Sequence, residues 1–284
     1  MIQKIVRKRS CYMFKLKFPE GKIKAFTLSY DDGSVHDARL IDIFDKHGLK
    51  CTFNVHTKRF LEDSAETARC TELYKKAIAN GHEVATHGLT HPFLTRLSDD
   101  QVAYEIIKDR ELLENALGVI VRGHAYPFGN FNDRVVDILK KCGIAYARTC
   151  VANPSFAVPS DWLRMHVTCH HDDAKLFEYA DKFLHEENPH PYTTPWLFYV
   201  WGHSHEFAHK NNWERIEEFA TLMEGHDDVW YATNIEIYDY VTCLRSLVYS
   251  LDHKHVYNPS HQTVWFEKGG KEYKVEAGRT ITLD

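Results

Sequence analysis

Strand-like and helix-like segments alternate along most of this 284-residue chain, and that alternation is the strongest constraint on its fold. The strand-like runs are short and apolar, for example KAFTLSY, KCTFNV and WLFYVW, and each precedes a segment with helical spacing of apolar residues. Strands joined by helical crossovers form parallel sheets. About seven such units are present. We therefore expect an α/β fold with a closed or nearly closed barrel.

The C-terminal stretch has a different pattern. TVWFEKGGKEYKVEAGRTITL contains two alternating runs joined by Gly-Gly, which predicts a β-hairpin. We therefore expect three parts, which are an N-terminal segment at 1–21, the barrel at 22–251 and a small C-terminal β extension at 252–284.

Composition limits the classes of partner and compartment. The formal charge of -5 argues against binding to nucleic acid or an anionic membrane, because both need an excess of Lys and Arg. The seven cysteines are scattered and never spaced C-x-x-C, so we expect thiols in a reducing compartment. No apolar run has the length of a membrane span, and no signal peptide is evident. A cytoplasmic location is expected, an extracytoplasmic one stays open, and so does the oligomeric state.

Polar residues follow several of the predicted strands. Asp31 and Asp32 end the first strand, His87 and His91 follow the third, and His203 follows the seventh. The Asp-Gly pair in SYDDG is also typical of a plain turn. In parallel barrels, however, catalytic groups lie where strands end and loops lead to helices. The shared position favours a functional site over a turn.

The spacing of His87 and His91 is typical of a metal site. Side chains four residues apart can converge on one ion, and Asp32 would complete a site of two histidines and one carboxylate. The alternative is a pair of surface histidines in a chain that has 19. Zn²⁺ is the default ion, and Co, Ni, Mn or Fe would fit the same ligands. Asp31, beside that charge, can stay ionised and accept a proton from water.

These segments carry a family resemblance. SYDDG, HGLTHP, AYPFG and WGHSHE resemble, in order, the motifs of the polysaccharide deacetylases, the NodB-homology family of carbohydrate esterases. The similarity extends from about residue 22 to residue 240. It implies a distorted (β/α)7 barrel that removes N- or O-linked acetyl groups from a sugar, oligosaccharide or polysaccharide with a divalent metal ion.

The resemblance also implies roles for individual residues. Asp31 corresponds to the catalytic base and His203 to the acid that protonates the leaving group, with the metal ligands being Asp32, His87 and His91. The backbone N–H of Phe128 corresponds to a donor for the tetrahedral oxyanion. Tyr126, in the same motif, is a candidate to stack on a sugar face, although packing is the alternative.

The chain departs from the family pattern in two places. Ala125 stands where family members often have an arginine that steadies the base, and Arg122 or Arg164 could supply that charge from elsewhere. Family members also often pair the acid histidine with an aspartate. Asp161 fits that position loosely, and a cap at the start of a helix or loop is the alternative.

Two further polar clusters allow more than one interpretation. His205 and Glu206 adjoin His203, and an exposed loop is the simplest interpretation of both. The run at 170–173, HHDD, could be a second metal site, but a solvated helix start is the better explanation because acids are favoured there.

Three other functions compete with a sugar deacetylase. Hydrolysis of a non-sugar amide would use the same residues. An iron oxygenase also uses two histidines and one carboxylate, but usually on a jelly-roll scaffold rather than on alternating strands and helices. A non-catalytic carbohydrate-binding protein would not need the base Asp31 or the acid His203.

Overall fold

The computed structural model describes residues 14–61, 64–186 and 195–284. Its strands have the following bounds: β1 Phe14–Lys17, β2 Lys24–Asp31, β3 Cys51–Val55, β4 Glu83–Thr86, β5 Gly123–Ala125, β6 Tyr146–Ala152, β7 Met165–Val167, β8 Cys169–His170, β9 Trp196–His203, β10 Val229–Tyr231, β11 Val248–Tyr249, β12 His255–Tyr257, β13 Val264–Lys268, β14 Lys271–Val275 and β15 Thr280–Thr282.

Eight α-helices lie within the described ranges. They are α1 Asp37–Lys46, α2 Ala65–Ala79, α3 Asp99–Leu117, α4 Asp133–Lys141, α5 Leu176–His185, α6 Ser204–Lys210, α7 Trp213–Met223 and α8 Asn234–Arg245. α1 shows why they form: Leu40, Ile41 and Phe44 recur at helical spacing and are fully buried. Gly48 follows the helix with φ of 64°, a conformation that favours glycine.

The parallel strands close into a barrel. Hydrogen bonding runs in the order β7-β6-β5-β4-β3-β2-β9-β8, and β10 pairs with the beginning of β2. Only Thr168 separates β7 from β8, and its N–H donates to the Tyr199 carbonyl of β9 at 2.8 Å. The two short strands therefore connect β6 to β9 and complete the circuit. The predicted (β/α)7 type of barrel is confirmed.

Strand register places the carboxyl ends at one rim. Asp31, the last residue of β2, has Asn54 of β3 and His203 of β9 as its Cα partners. Ala125 of β5 is likewise paired with Arg148 of β6. Partners on neighbouring parallel strands project their side chains to the same face. The predicted catalytic residues therefore begin from adjacent positions at one end of the barrel.

The central barrel strand, β2, is buried on both faces. Phe26, Leu28 and Tyr30 of β2 pack into the apolar layer beneath the helices. Thr27 and Ser29 alternate with them and are also fully buried, where they contact Asn234 and Asn54. Burial of every β2 residue is what a parallel strand covered by crossover helices requires.

The two chain ends share a small antiparallel sheet. β13 and β14 form the predicted hairpin through Gly269 and Gly270, which have φ of 62° and 82°. β1 pairs with β13, and a second small sheet has the order β11-β12-β15. The domain boundaries stay a prediction, and residues 1–13 of the expected N-terminal segment lie outside the described residues.

Two expectations from composition concern membrane spans and disulfides. Across the described ranges, no helix combines the length and apolarity needed to cross a bilayer. No disulfide joins the cysteines in the part of the chain that the structure describes, and Cys11 lies outside it.

Glu83, at the beginning of β4, makes stability depend on pH. Its carboxylate accepts hydrogen bonds from Thr52 and Tyr146 and from the Ile235 N–H, but burial raises its pKa from 4.5 to about 7. Between those values the folded state binds more protons than the unfolded state, so its stability falls as pH rises. The slope can reach about 1.4 kcal/mol per pH unit.

Glu83→Gln should therefore flatten the fall in unfolding free energy between pH 5 and pH 7, because glutamine mimics the protonated acid and can donate to the Tyr146 hydroxyl. Urea unfolding at several pH values measures this, with exposed Glu218→Gln as the control. Parallel profiles for Glu83→Gln and the native protein would show that Glu83 does not cause the slope.

Candidate functional site

Three predicted ligands converge at the carboxyl rim of the barrel. Asp32 Oδ1 lies 3.5 Å from His87 Nε2 and 3.5 Å from His91 Nε2, and the two Nε2 atoms are 3.1 Å apart. Donor atoms about 2.1 Å from a tetrahedral ion lie roughly 3.4 Å from one another. The spacing and the chemistry of this donor set therefore fit a divalent cation.

The tautomer of His87 also fits such a role. Its Nδ1–H donates to the Ala125 carbonyl at 2.8 Å, so in the neutral ring the lone pair is on Nε2, which faces Asp32. Burial lowers the pKa of His91, which favours the neutral imidazole that can bind a cation.

Two carboxylates of α3 hold the loop that carries these histidines. Asp109 is fully buried and accepts a hydrogen bond from the His87 N–H at 2.9 Å. Glu105, one turn earlier, accepts from the Thr90 N–H at 2.9 Å and the Thr90 hydroxyl at 2.8 Å. Residues four apart share one helix face. α3 therefore fixes the backbone between His87 and His91, a role that the sequence analysis missed although the spacing is visible in the sequence.

The backbone is strained where the site residues lie. Asp32, His91 and Phe128 have φ of 77°, 55° and 57°. Such values are uncommon for non-glycine residues, and they cluster at functional sites where the surrounding structure enforces them. This strain is an observation independent of the donor distances, and it points to the same rim.

Asp31 lies behind the three predicted ligands and is almost fully buried. Its Oδ1 accepts from Asn54 Nδ2 at 2.8 Å, and its Oδ2 contacts the Arg148 guanidinium and lies 3.8 Å from His87 Nε2. Burial opposes ionisation, but the Arg148 charge is the largest opposing effect, and the pKa of Asp31 stays below its ordinary value. The site therefore contains an ionised, oriented carboxylate.

Arg148 supplies the charge for which the sequence offered Arg122 or Arg164 as candidates. It is fully buried, its guanidinium packs 4.5 Å from the centre of the Trp201 ring, and it begins from the strand position next to Ala125. Arg122 instead pairs with Asp239, at 2.6 Å and 2.9 Å.

Both predicted arginines pair with carboxylates other than Asp31. Arg122 precedes β5, and Arg164 precedes β7, so both lie at amino ends of strands. Arg164 pairs with Asp133 and Asp161. The expectation that Asp161 orients the acid histidine is also corrected, because Asp161 caps the turn at Leu163 and pairs with Arg164.

His203 faces the site from the opposite side. Its Nε2 lies 4.0 Å from Asp32 Oδ2, and its Nδ1 lies 3.2 Å from Glu206 Oε1. Burial alone would lower its pKa, but Glu206 and the two site aspartates outweigh burial and raise the pKa of His203 above its ordinary value. The ring can therefore hold a proton beside the cluster.

The run at 170–173 is not a solvated helix start. α5 begins only at Leu176, and His171 is 1% exposed because β8 completes the barrel. His170 Nε2 and His171 Nε2 lie 3.2 Å and 2.9 Å from Glu206 Oε2. Glu206 was expected in an exposed loop, but it connects this run to His203.

The third motif separates its two aromatic residues. Tyr126 is fully buried, donates to the Leu163 carbonyl at 2.8 Å and packs on Phe131, so its ring is core and does not reach the rim. Phe128 is 57% exposed, stacks on Phe93 at 4.1 Å and contacts the His91 ring. The prediction of Tyr126 as a stacking platform is corrected, whereas Phe128 borders the site.

Comparison with known proteins gives a consistent set of relatives. Residues 19–147 match the sequence profile of the polysaccharide deacetylase family. A chitin deacetylase of Cryptococcus neoformans is 30% identical over 118 residues, which is 41% of this chain and 24% of that protein. A chitooligosaccharide deacetylase of Bradyrhizobium is 28% identical over 140 residues, which is 48% of this chain and 58% of that protein.

A solved structure shows the same fold. The family 4 carbohydrate esterase of Streptomyces lividans, crystallised with acetate, has a TM-score of 0.51 at 18% identity and covers 72% of this chain and 90% of that one. The chain thus spans 24% and 58% of the length of the two curated relatives named above. The alignment with the solved structure covers 72% of this chain.

Proposed function

We propose that this chain, whose residues 19–147 match the polysaccharide deacetylase family, is a metal-dependent hydrolase that removes acetyl groups from a carbohydrate. One observation carries the proposal. An ionised carboxylate, Asp31, and an imidazole able to hold a proton, His203, flank a cluster whose donor atoms fit a divalent ion. Hydrolysis of an acetyl group needs a base, an acid and a polarising centre in that arrangement.

Asp32, His87 and His91 would hold the ion, with Zn²⁺ as the default for two imidazoles and one carboxylate. When bound, such an ion supplies Lewis acidity and lowers the pKa of water to about 7. The His87 tautomer fixed by the Ala125 carbonyl makes Nε2 the ligating atom.

Asp31 accepts the proton of the attacking water. Asn54 fixes one carboxylate oxygen and Arg148 the other, so the base is oriented before substrate arrives. Holding a catalytic group in its reactive geometry before substrate binds lowers the barrier to reaction. The Phe128 N–H, on the strained turn at the rim, is the proposed donor to the oxyanion.

His203 donates a proton to the leaving group from Nε2, the ring nitrogen that faces the cluster. An amine or a sugar hydroxyl leaves poorly without that proton. The proposed substrate is an acetylated sugar, oligosaccharide or polysaccharide, supported by the relatives named for chitin and chitooligosaccharides. The exposed Phe128 ring beside the cluster provides an apolar surface of the kind that sugar faces pack against.

Acetate release tests this function. Protein reconstituted with Zn²⁺ should release acetate from N-acetylated chitooligosaccharides or O-acetylated xylan, and Asp31→Asn should not. Turnover restricted to simple non-sugar amides would replace the substrate class with the second candidate. Sugar binding without acetate release, unchanged by Asp31→Asn, would identify a non-catalytic binding protein instead.

A further inference from the structure

We propose that Glu206 is the positioning residue of the acid His203 and that His170 and His171 hold Glu206 in place, an inference that rests on the proposed deacetylation. The family resemblance led us to expect an aspartate in this role, but Asp161 caps the turn at Leu163 and pairs with Arg164 instead. The observation that carries the proposal is a chain of polar contacts from β8 through Glu206 to His203.

The first link in this chain is local. His203 ends β9, and Glu206 lies in the first turn of α6, three residues later. Glu206 Oε1 is 3.2 Å from His203 Nδ1, and the other ring nitrogen faces Asp32. A carboxylate at Nδ1 fixes both the ring orientation and the tautomer, so the exchangeable proton is presented from Nε2. The start of α6 is itself anchored, because the buried Ser204 hydroxyl donates to Asp37.

The second link holds the other carboxylate oxygen. The Asp172 N–H donates to His170 Nδ1 at 3.2 Å, so the neutral His170 ring carries its proton on Nε2, which lies 3.2 Å from Glu206 Oε2. His171 approaches the same oxygen at 2.9 Å. Its ring is 1% exposed and is packed between Tyr30 and Phe207, with centroid distances of 5.6 Å and 4.2 Å.

The strand geometry adapts to this arrangement. Gly202, directly before the acid, lies against the His171 ring so closely that a Cβ at that position would collide with Nδ1. A glycine there allows the His171 ring to reach Glu206 beneath the backbone that carries His203. The rigid element is thus the end of β9 together with β8.

A second metal site in the same cluster is the competing explanation. His170, His171, Asp172 and Glu206 have donor atoms within 4.8 Å of one another. However, the His170 ring presents a proton rather than a lone pair toward Glu206, and the Lys210 ammonium contacts Asp172. A second cation would be repelled by the His170 proton and by the Lys210 ammonium.

Glu206→Gln changes the carboxylate with the smallest change in shape. Glutamine has one acceptor oxygen, and its NH₂ must face either His203 Nδ1–H or the His170 and His171 rings. One of these contacts is therefore mismatched. Loss of a correctly held acid should matter only when the leaving group needs a proton. We expect kcat for an N-acetylated chitooligosaccharide to fall about 10²-fold with KM nearly unchanged, and kcat/KM for p-nitrophenyl acetate to change less than about threefold.

The experiment compares both substrates for the native protein, Glu206→Gln, His203→Ala and the double variant, with exposed Glu218→Gln as the matched control. The double variant should be no slower on the amide than His203→Ala alone, because the two residues act as one unit. Glu206→Asp keeps the carboxylate charge on a side chain that is shorter by one methylene, and it should recover part of the activity on the amide substrate. The test therefore does not depend on the glutamine variant alone, which could have a folding defect. Equal loss on both substrates, or additive losses, would overturn the proposal.

A measurement independent of turnover separates this inference from the proposed function. A His Nδ1–H held by a carboxylate gives a protected low-field proton resonance in NMR, which should vanish in Glu206→Gln and His203→Ala and persist in Glu218→Gln. If the resonance is present and Glu206-dependent but no acetate is released, the proposed function fails while the His203–Glu206 link stands. A resonance that is absent, or unchanged in Glu206→Gln, would overturn the link itself. Bound zinc at a second stoichiometric site lost in His170→Ala would do the same.

Discussion

Asp31→Asn should lower kcat by about 10²–10⁴-fold while the protein keeps its bound metal, and His87→Ala should lose both turnover and metal. Asp31 Oδ2 and His87 Nε2 lie 3.8 Å apart, yet the two substitutions have different expected effects. The difference follows from their partners. Asp31 is held by Asn54 and Arg148 and lies behind the cluster, whereas His87 Nε2 lies within it.

Metal content by elemental analysis, with acetate release on the same samples, measures both effects. Exposed Asp137→Asn and His185→Ala are the matched controls and should retain metal and turnover. Equal metal contents in Asp31→Asn and His87→Ala would contradict the separation of base and ligand. Unfolding curves for each variant exclude a general loss of structure.

The set of residues at the rim could be predicted from sequence, because it depends only on the direction in which each strand runs. Residues that follow the apolar strands must meet at one end of a parallel barrel, whatever the detailed packing. Asp31, Asp32, His87, His91 and His203 all follow predicted strands, and the structure places them together. Their catalytic and ligand roles remain predictions.

Arg148 could not be assigned from sequence because its partner depends on register across the barrel. The residue lies in the run IAYART, where a charged side chain within an apolar strand was the available signal. Its role becomes visible only when β6 lies beside β5, so that Arg148 is level with Ala125 and reaches Asp31 across the interior. Arg122 and Arg164 resembled equally good candidates because proximity in sequence does not distinguish the two ends of a strand.

Glu206 was missed for a related reason. Its i, i+3 spacing from His203 is visible in the sequence, but the run at 170–173 looked solvated because helix starts favour acids. The barrel closes through a two-residue strand, β8, which no periodicity argument can detect, and that closure buries His171. The sequence pattern was that of a polar surface, but closure of the barrel places His170 and His171 against Glu206.

Arg148→Ala should lower the free energy of unfolding by about 3–5 kcal/mol and also lower turnover. Both side chains of the Arg148–Asp31 pair are almost fully buried, so removal of the guanidinium leaves an uncompensated carboxylate in the barrel interior. Arg122→Ala is the matched control. Its pair with Asp239 is partly exposed, so we expect a change of about 1 kcal/mol or less and unchanged turnover.

A double variant distinguishes loss of charge balance from loss of volume. Asp31→Asn should reduce the stability loss caused by Arg148→Ala by at least about 1 kcal/mol, because the residue left behind is then neutral. It should not restore turnover, because the base is gone. Additive stability losses would mean that Arg148 acts only by filling space.

Relocating the charge tests the positional argument directly. Ala125 and Arg148 are paired across β5 and β6, so an arginine at 125 can enter the volume that Arg148→Ala vacates and approach Asp31 from the neighbouring strand. Ala125→Arg combined with Arg148→Ala should therefore recover part of both the unfolding free energy and the turnover, measured by urea unfolding and acetate release. Ala125→Arg alone should destabilise the protein, because that interior is already filled. If the double variant recovers stability without turnover, the guanidinium balances the charge of Asp31 but does not orient it, and the orientation of the base must be assigned to Asn54 alone.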